Sequence, residues 1–246
     1  MSYDRVFGGI LKLDSVPIRS LDANEVRLAQ FESGISARSC GLNDELARVL
    51  ARHTANDLDL AFNDLSGDLD VLENRLPDSL IDMSGNPLQD ELLGPHCVDR
   101  WIPILIIEDT TLTDSFLSYL AKSTTIAGLS IRGAGFTEMA LGAAKLPVRH
   151  QLKLSGRQFT GRCFVDWRPR ITSLNMADTS LDDASIDYLS NLQWVRSVNI
   201  SNTEVTAKAL IASKLPSQIQ LLASRDQFTS RELLQLENRF ERVVLE

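Results

Sequence analysis

The octapeptide Leu174–Leu181, LNMADTSL, puts apolar side chains at its first and third positions, a hydroxyl, Thr179, at its sixth, and leucine again at its eighth. The phrase returns upstream as LDLAFNDL from Leu58, IDMSGNPL from Ile81 and LIIEDTTL from Leu105, and downstream as VNISNTEV from Val198. Working outward gives starts at Leu11, Ile35, Leu58, Ile81, Leu105, Leu129, Leu152, Leu174, Val198 and Leu221, each 22–24 residues from the last. A fixed period of that length marks stacked supersecondary units, so the period, more than the 246-residue length, sets the domain count. It predicts a cap segment over residues 1–10 and one uninterrupted array over 11–246. Val243-Val244-Leu245 reads as the start of an eleventh strand.

Positions one and three alternate with polar neighbours, the period-two pattern of a strand with one buried face. An apolar pair at helical spacing follows about eleven or twelve residues after each start, as in Leu117 with Leu120, Ile186 with Leu189 and Leu233 with Leu236. A single strand and short helix cannot bury their apolar faces, so the repeats must stack. Position six holds Cys40, Asn63, Asn86, Thr110, Thr179, Thr203 and Asp226, short polar side chains suited to satisfying buried backbone groups. Val16, Ala134 and Arg157 break this ladder. Gly133, Gly135, Gly156 and Gly161 surround the last two breaks. That region is either a distorted coil with Arg157 turned to solvent or an irregularity built for binding.

The L-x-L-x-x-N/C-x-L phrase resembles the leucine-rich repeat. TTLTD from Thr110 and TSLDD from Thr179 look like the Thr-x-Leu-Thr-Asp coils of bacterial leucine-rich-repeat proteins. A weaker similarity extends to ribonuclease inhibitor and to F-box adaptors, although no F-box-like helical domain precedes the repeats. The resemblance implies an α/β fold, a right-handed solenoid or horseshoe of about ten coils. Its parallel strands would line the concave face and its short helices the convex one. It also implies a non-enzymatic protein-interaction module that binds a partner through the concave face.

Hydrophobic residues make up 43% of the chain, with no apolar run of the roughly 18–20 residues that a membrane helix needs. The first residues, MSYDRVFGGILKL, lack the features of a signal peptide. Cys40, Cys97 and Cys163 are odd in number and far apart, which suits reduced thiols. A cytoplasmic protein without membrane contact is expected.

The net charge of −8 conceals two patches. Residues 54–114 hold fourteen acids against Arg75 and Arg100, a net −12, whereas residues 145–170 hold seven bases against Asp166, a net +6. Positions two, four and five point away from the core, which places Asp59, Asp82, Glu108 and Asp109 on the strand face, followed by Arg132 and Lys153. Arg157 and the WRPR of Trp167, Arg168, Pro169 and Arg170 complete the candidate contact residues, since aromatics and arginine are enriched at protein interfaces. The alternative for WRPR is an ordinary buried Trp167 flanked by exposed arginines.

Catalytic and cofactor chemistry is not expected. His53, His96 and His150 are scattered over different repeats, and His96 beside Cys97 lacks a second ligand cluster at zinc spacing. No phosphate loop is present, and Asp57, Asp59 and Asp64 fall outside the calcium-loop register. An isoelectric point near 5.0 disfavours nucleic acid. The acidic stretch leaves open a second role, inhibition of a basic enzyme such as a nuclease or toxin. The open edge at Val243–Leu245 leaves open a third, a homodimer or self-associating scaffold.

Overall fold

The computed structural model describes residues 6–7, 10–15, 34–52, 54, 56–68, 70–73, 75–133 and 135–246. The expected rungs Val16 and Ala134, His53 and most of the segment 1–10 lie outside the described residues. The chain divides into two compact units, Met1–Ser130 and Ile131–Glu246, where the sequence reads as one array.

In the first unit the strands β1 (Val6–Phe7), β2 (Ile10–Lys12), β3 (Gly34–Ser36), β4 (Asp57–Asp59), β5 (Leu80–Asp82), β6 (Trp101–Glu108) and β7 (Thr125–Arg132, ending in the second unit) follow one another in chain order. β1 runs antiparallel to β2, and each strand from β2 to β5 pairs parallel with the next. Helices α1 (Asp44–Ala51), α2 (Asp90–Leu93) and α3 (Asp114–Leu120) connect them, with a 3-10 turn at Gly94–Cys97. The second unit pairs β8 (Val148–Ser155), β9 (Ser173–Asn175), β10 (Ser197–Asn199), β11 (Gln220–Ala223) and β12 (Arg242–Leu245) in parallel and in order. Its connections are α4 (Glu138–Ala144), α5 (Ala207–Ala212), α6 (Ser230–Arg239) and 3-10 turns at Arg162–Val165 and Ile186–Asn191. The described chain is therefore an α/β protein built on open, essentially parallel sheet. No helix among the described residues is long and apolar enough to cross a membrane.

The register is the one the sequence spells. Leu11, Ile35, Leu58, Ile81 and Leu105 stand opposite one another across neighbouring strands of the first unit. Leu152, Leu174, Val198, Leu221 and Val243 do so in the second, which makes the strand expected at Val243 real. Positions one, three and eight of the ten repeats are buried wherever the residue is described, for example Leu58, Leu60 and Leu65. Burying each such leucine contributes about 1.5–3 kcal/mol. β6, β7 and β8 are longer than their neighbours, because Ile102, Ile126 and Val148 add a buried apolar position upstream of each start.

Position five follows a backbone rule. Ser15, Ser39, Phe62, Gly85, Asp109, Gly133, Gly156, Asp178 and Asn202 all have positive φ. The left-handed turn is easy for glycine and tolerable for Asn and Asp; Gly133 and Gly156, with φ 116° and 119° against 54–67° at the other seven positions, keep the positive φ in a form that suits glycine alone.

Position six behaves as a ladder in most repeats. Asn86 donates to Leu60, Met83 and Ser84 carbonyls and accepts from the amides of Asn63 and Leu65. Asn63 does the same for Ala37, Leu60 and Ala61 and for the amides of Cys40 and Leu42, while the Cys40 thiol donates to the Leu13 carbonyl at 3.1 Å. Thr110, Thr179 and Thr203 each donate to the carbonyl three residues back. Two repeats shift the duty by one residue. Asp226 and Arg157 are exposed, and the polar link to the preceding repeat comes from Gln227 to Thr203 and from Gln158 to the Gly133 carbonyl at 2.6 Å. Both lie in the same pattern, Ser-x-x-Gln-Phe, at 155–159 and 224–228.

A second ladder runs along the helix starts. The acid opening one helix, or just before it, accepts from the amide and hydroxyl that begin the next connection: Asp44 from Ser66, Asp90 from Thr113, Glu138 from Thr160 and Asp183 from Thr206. Thr113 and Thr206 in turn cap α3 and α5. This gives the Thr-Asp pairing at these positions a physical reason. The connection after β4 contains no helix among its described residues. There Arg75 is buried and donates to the carbonyls of Val71, Ala51 and Thr54, closing the end of α1. Burial pulls its guanidinium down to about 10, so it stays charged at neutral pH.

Candidate interaction surfaces

On the strand face of the first unit, Arg38 at position four is the centre of a cluster. Its Nη1 lies 3.4 Å from Asp59 and 3.5 Å from Asp82, and its guanidinium carbon sits 4.5 Å from the centre of the Phe62 ring. Phe62 is 46% exposed although it occupies the left-handed position five with φ 56°. A bulky residue in that conformation costs on the order of 1–3 kcal/mol. The ring lies over Gly85, where an added Cβ would fall 2.4 Å from ring carbon Cδ1. Asp14 accepts from the Ser36 hydroxyl and the Arg38 amide, which fixes the chain carrying the arginine.

Asp59 and Asp82 do more than face solvent. Each accepts from the amide two residues on, at Ala61 and Ser84, and Asn175 and Asn199 make the same bond in the second unit. The position-two acid is therefore also a strand-ending turn, a role asparagine fills equally well. Burial, with the neighbouring Asp82 charge adding to it, raises the Asp59 carboxyl above its usual range despite the Ala61 and Arg38 bonds. Glu108 is 9% exposed and accepts from the Ser130 hydroxyl at 2.5 Å, while its amide donates to Ser84. Asp109 is exposed on the left-handed turn. The structure thus brings Asp59 and Asp82 together around Arg38. Arg38 and Phe62, absent from the sequence-derived set, were readable from positions four and five, but a count of charges over 54–114 passes over both.

In the second unit Arg132 is exposed at the end of β7 and Lys153 is half-buried on β8. Arg157 turns outward, donates to the Thr179 carbonyl at 3.2 Å and lies 4.0 Å from Glu204, both side chains being largely exposed. Trp167 is 3% exposed; its indole N–H donates to the Leu146 carbonyl at 3.0 Å and its ring stacks on Phe164. The tryptophan is an anchor inside the unit, and what it presents are Arg168 and Arg170, both exposed. Arg170 lies 5.7 Å from the centre of the Trp194 ring.

The cysteines are buried and unpaired by disulfides, and burial pushes the Cys97 thiol up to about 12 and raises that of Cys163 as well. A thiol held so far from its thiolate is a poor nucleophile or metal ligand. His96 faces Asp70 at 3.8 Å, which also takes Arg100 at 2.6 Å, while Cys97 is fully buried. Among the described residues no group of three or more His, Cys, Asp or Glu side chains is placed to hold a metal. No family model matches the chain, and no curated protein sequence does either.

Proposed function

We propose that the chain is a leucine-rich-repeat solenoid, right-handed and curved with its strands on the concave side, acting as a non-enzymatic protein-interaction module in the cytoplasm. The register within each unit and the two polar ladders support the architecture, and three buried cysteines in no disulfide suit a reducing compartment. The observation that carries the function is Phe62. A half-exposed aromatic kept at a left-handed position, beneath an arginine that itself lies against two aspartates, is a composition seen at binding hot spots and serves no evident need of the fold. Partner binding through the strand face gives it one. The inhibitor reading asks for free carboxylates on that face, and Asp59, Asp82 and Glu108 are all engaged.

Phe62→Gly tests the proposal, because glycine is at ease on the left-handed turn. Thermal stability is expected to hold or rise, while a stoichiometric partner captured by the wild-type bait is lost. A control reversing exposed helix charges, Lys208→Glu with Arg231→Glu, keeps the partner. Equal partner recovery by the Phe62→Gly bait would sink the reading.

A further inference from the structure

The start of β8 and the loops leading into β8 and β9 line a cleft of about 280 Å³ that shares no residue with the Arg38–Phe62 cluster. Four cations, Lys145, Arg149, Arg168 and Arg170, stand around it, and all four are exposed. None has a carboxylate partner among the described residues. The residue before β10, Arg196, is a further exposed cation on the same side of the strands, hydrogen-bonded through its amide to the Thr172 carbonyl. Trp194 beside it is 53% exposed, with Arg170 against its face. Like charges kept close and exposed repel one another, and no carboxylate among the described residues offsets them.

The cleft is also stiff. Pro147 and Pro169 fix φ in its two walls, and the buried Trp167 between them is held by its bond to Leu146 and its stack on Phe164. A preset cationic surface loses little conformational entropy when it binds. Adjacent strands are spaced by about 4.8 Å, so Arg149, Arg170 and Arg196 offer a guanidinium at nearly each strand that a ligand crosses. Guanidinium forks match carboxylates in two-pronged geometry.

From these features we infer that the loop edge of the second unit is a docking surface for an acidic, extended peptide segment of a partner protein. It deepens the interaction-module reading by adding a second surface with its own ligand chemistry. An extended glutamate-rich strand places carboxylates along its length at a spacing that the row of arginines can follow, and Pro147 and the exposed part of Trp194 supply apolar contact. Nucleic acid fits less well. Single strands are held by several stacking platforms, whereas this edge offers the one exposed indole of Trp194, and the chain as a whole carries −8.

Fluorescence anisotropy of a fluorescein-labelled glutamate-rich peptide tests the inference on the full chain. Binding is expected at about 50 mM salt and should be largely lost at about 500 mM, where screening is short-ranged. Arg168→Glu with Arg170→Glu should weaken it at least about tenfold, whereas Lys208→Glu with Arg231→Glu, the same change of net charge on the helix side, should leave it within about twofold. Circular dichroism melts show whether each variant is folded. Equal weakening by the two double variants, or no binding by the wild type, overturns the inference. Tighter binding of an oligothymidylate than of the peptide would make the edge a nucleic-acid surface. A doubled mass in light scattering without peptide, lost on reversing Arg168 and Arg170, would make its occupant a second copy. The outcome is separable from that of the Phe62→Gly test, since the two surfaces share no residue.

Discussion

Residues 54–114 of the first unit and 145–170 of the second carry opposite charge, and the fold uses the two differently. In the acidic stretch Asp57, Asp59, Asp70, Asp82, Asp90 and Glu108 all accept hydrogen bonds that end strands, start connections or join one repeat to another. Its two bases are consumed as well, Arg100 by Asp70 and Arg75 by three carbonyls. In the basic run Lys145, Arg149, Arg162 and Arg168 have no such partner among the described residues. Net charge by itself therefore says little about binding. An acid is an acceptor, and a repeat with many exposed amides at its turns has structural work for acceptors. Arginine and lysine only donate, so they serve the fold where a carbonyl lies in reach, as for Arg75, Arg157 and Arg239.

The largest effect expected from this difference is at Arg75. Arg75→Ala leaves the carbonyls of Val71, Ala51 and Thr54 buried without their donor and should lower stability by about 3–5 kcal/mol in urea unfolding. A loss under about 1 kcal/mol would mean that water replaces the guanidinium and that the first unit does not depend on its buried cation. Next comes Asp90. Asp90→Ala removes the acceptor of the Thr113 amide and hydroxyl and should cost about 1–3 kcal/mol, with α3 fraying first in hydrogen exchange. An unaffected α3 would show that the helix-start ladder is incidental.

What the sequence revealed and what it hid divide on the range of the interactions. The starts from Leu11 to Val243 were legible because burial of one strand face imposes a period that every repeat must repeat. The left-handed position five was written in Gly85, Gly133, Gly156, Asp178 and Asn202, yet Gly133 and Gly156 are easily taken for loop irregularity until a positive φ is seen at this position in nine repeats. Gln158 and Gln227 escaped for the same reason, since a rung displaced by one residue breaks a fixed-position template while keeping the bond. Arg75 was beyond reading. Two of its three carbonyl partners lie 21 and 24 residues back, and nothing in the local sequence distinguishes it from a solvated arginine. Trp167 could be foreseen as buried or as a contact, and only its bond to Leu146 decides.

The smallest expected effect is the most direct probe of the comparison. If the basic run is surplus to the fold, Arg168→Glu with Arg170→Glu should leave unfolding free energy within about 0.5 kcal/mol of wild type, because exposed substitutions away from caps, cores and networks rarely do more. The reversal replaces two cations crowded by Lys145 and Arg149 with anions beside them, so relief of like-charge repulsion favours the variant slightly at low salt. A loss of more than about 1 kcal/mol would instead show that Arg170, through its contact with Trp194, braces the approach to β10 and belongs to the structural charges after all. Stability that holds while acidic-peptide binding falls identifies the arginines as residues whose physical role lies outside the chain.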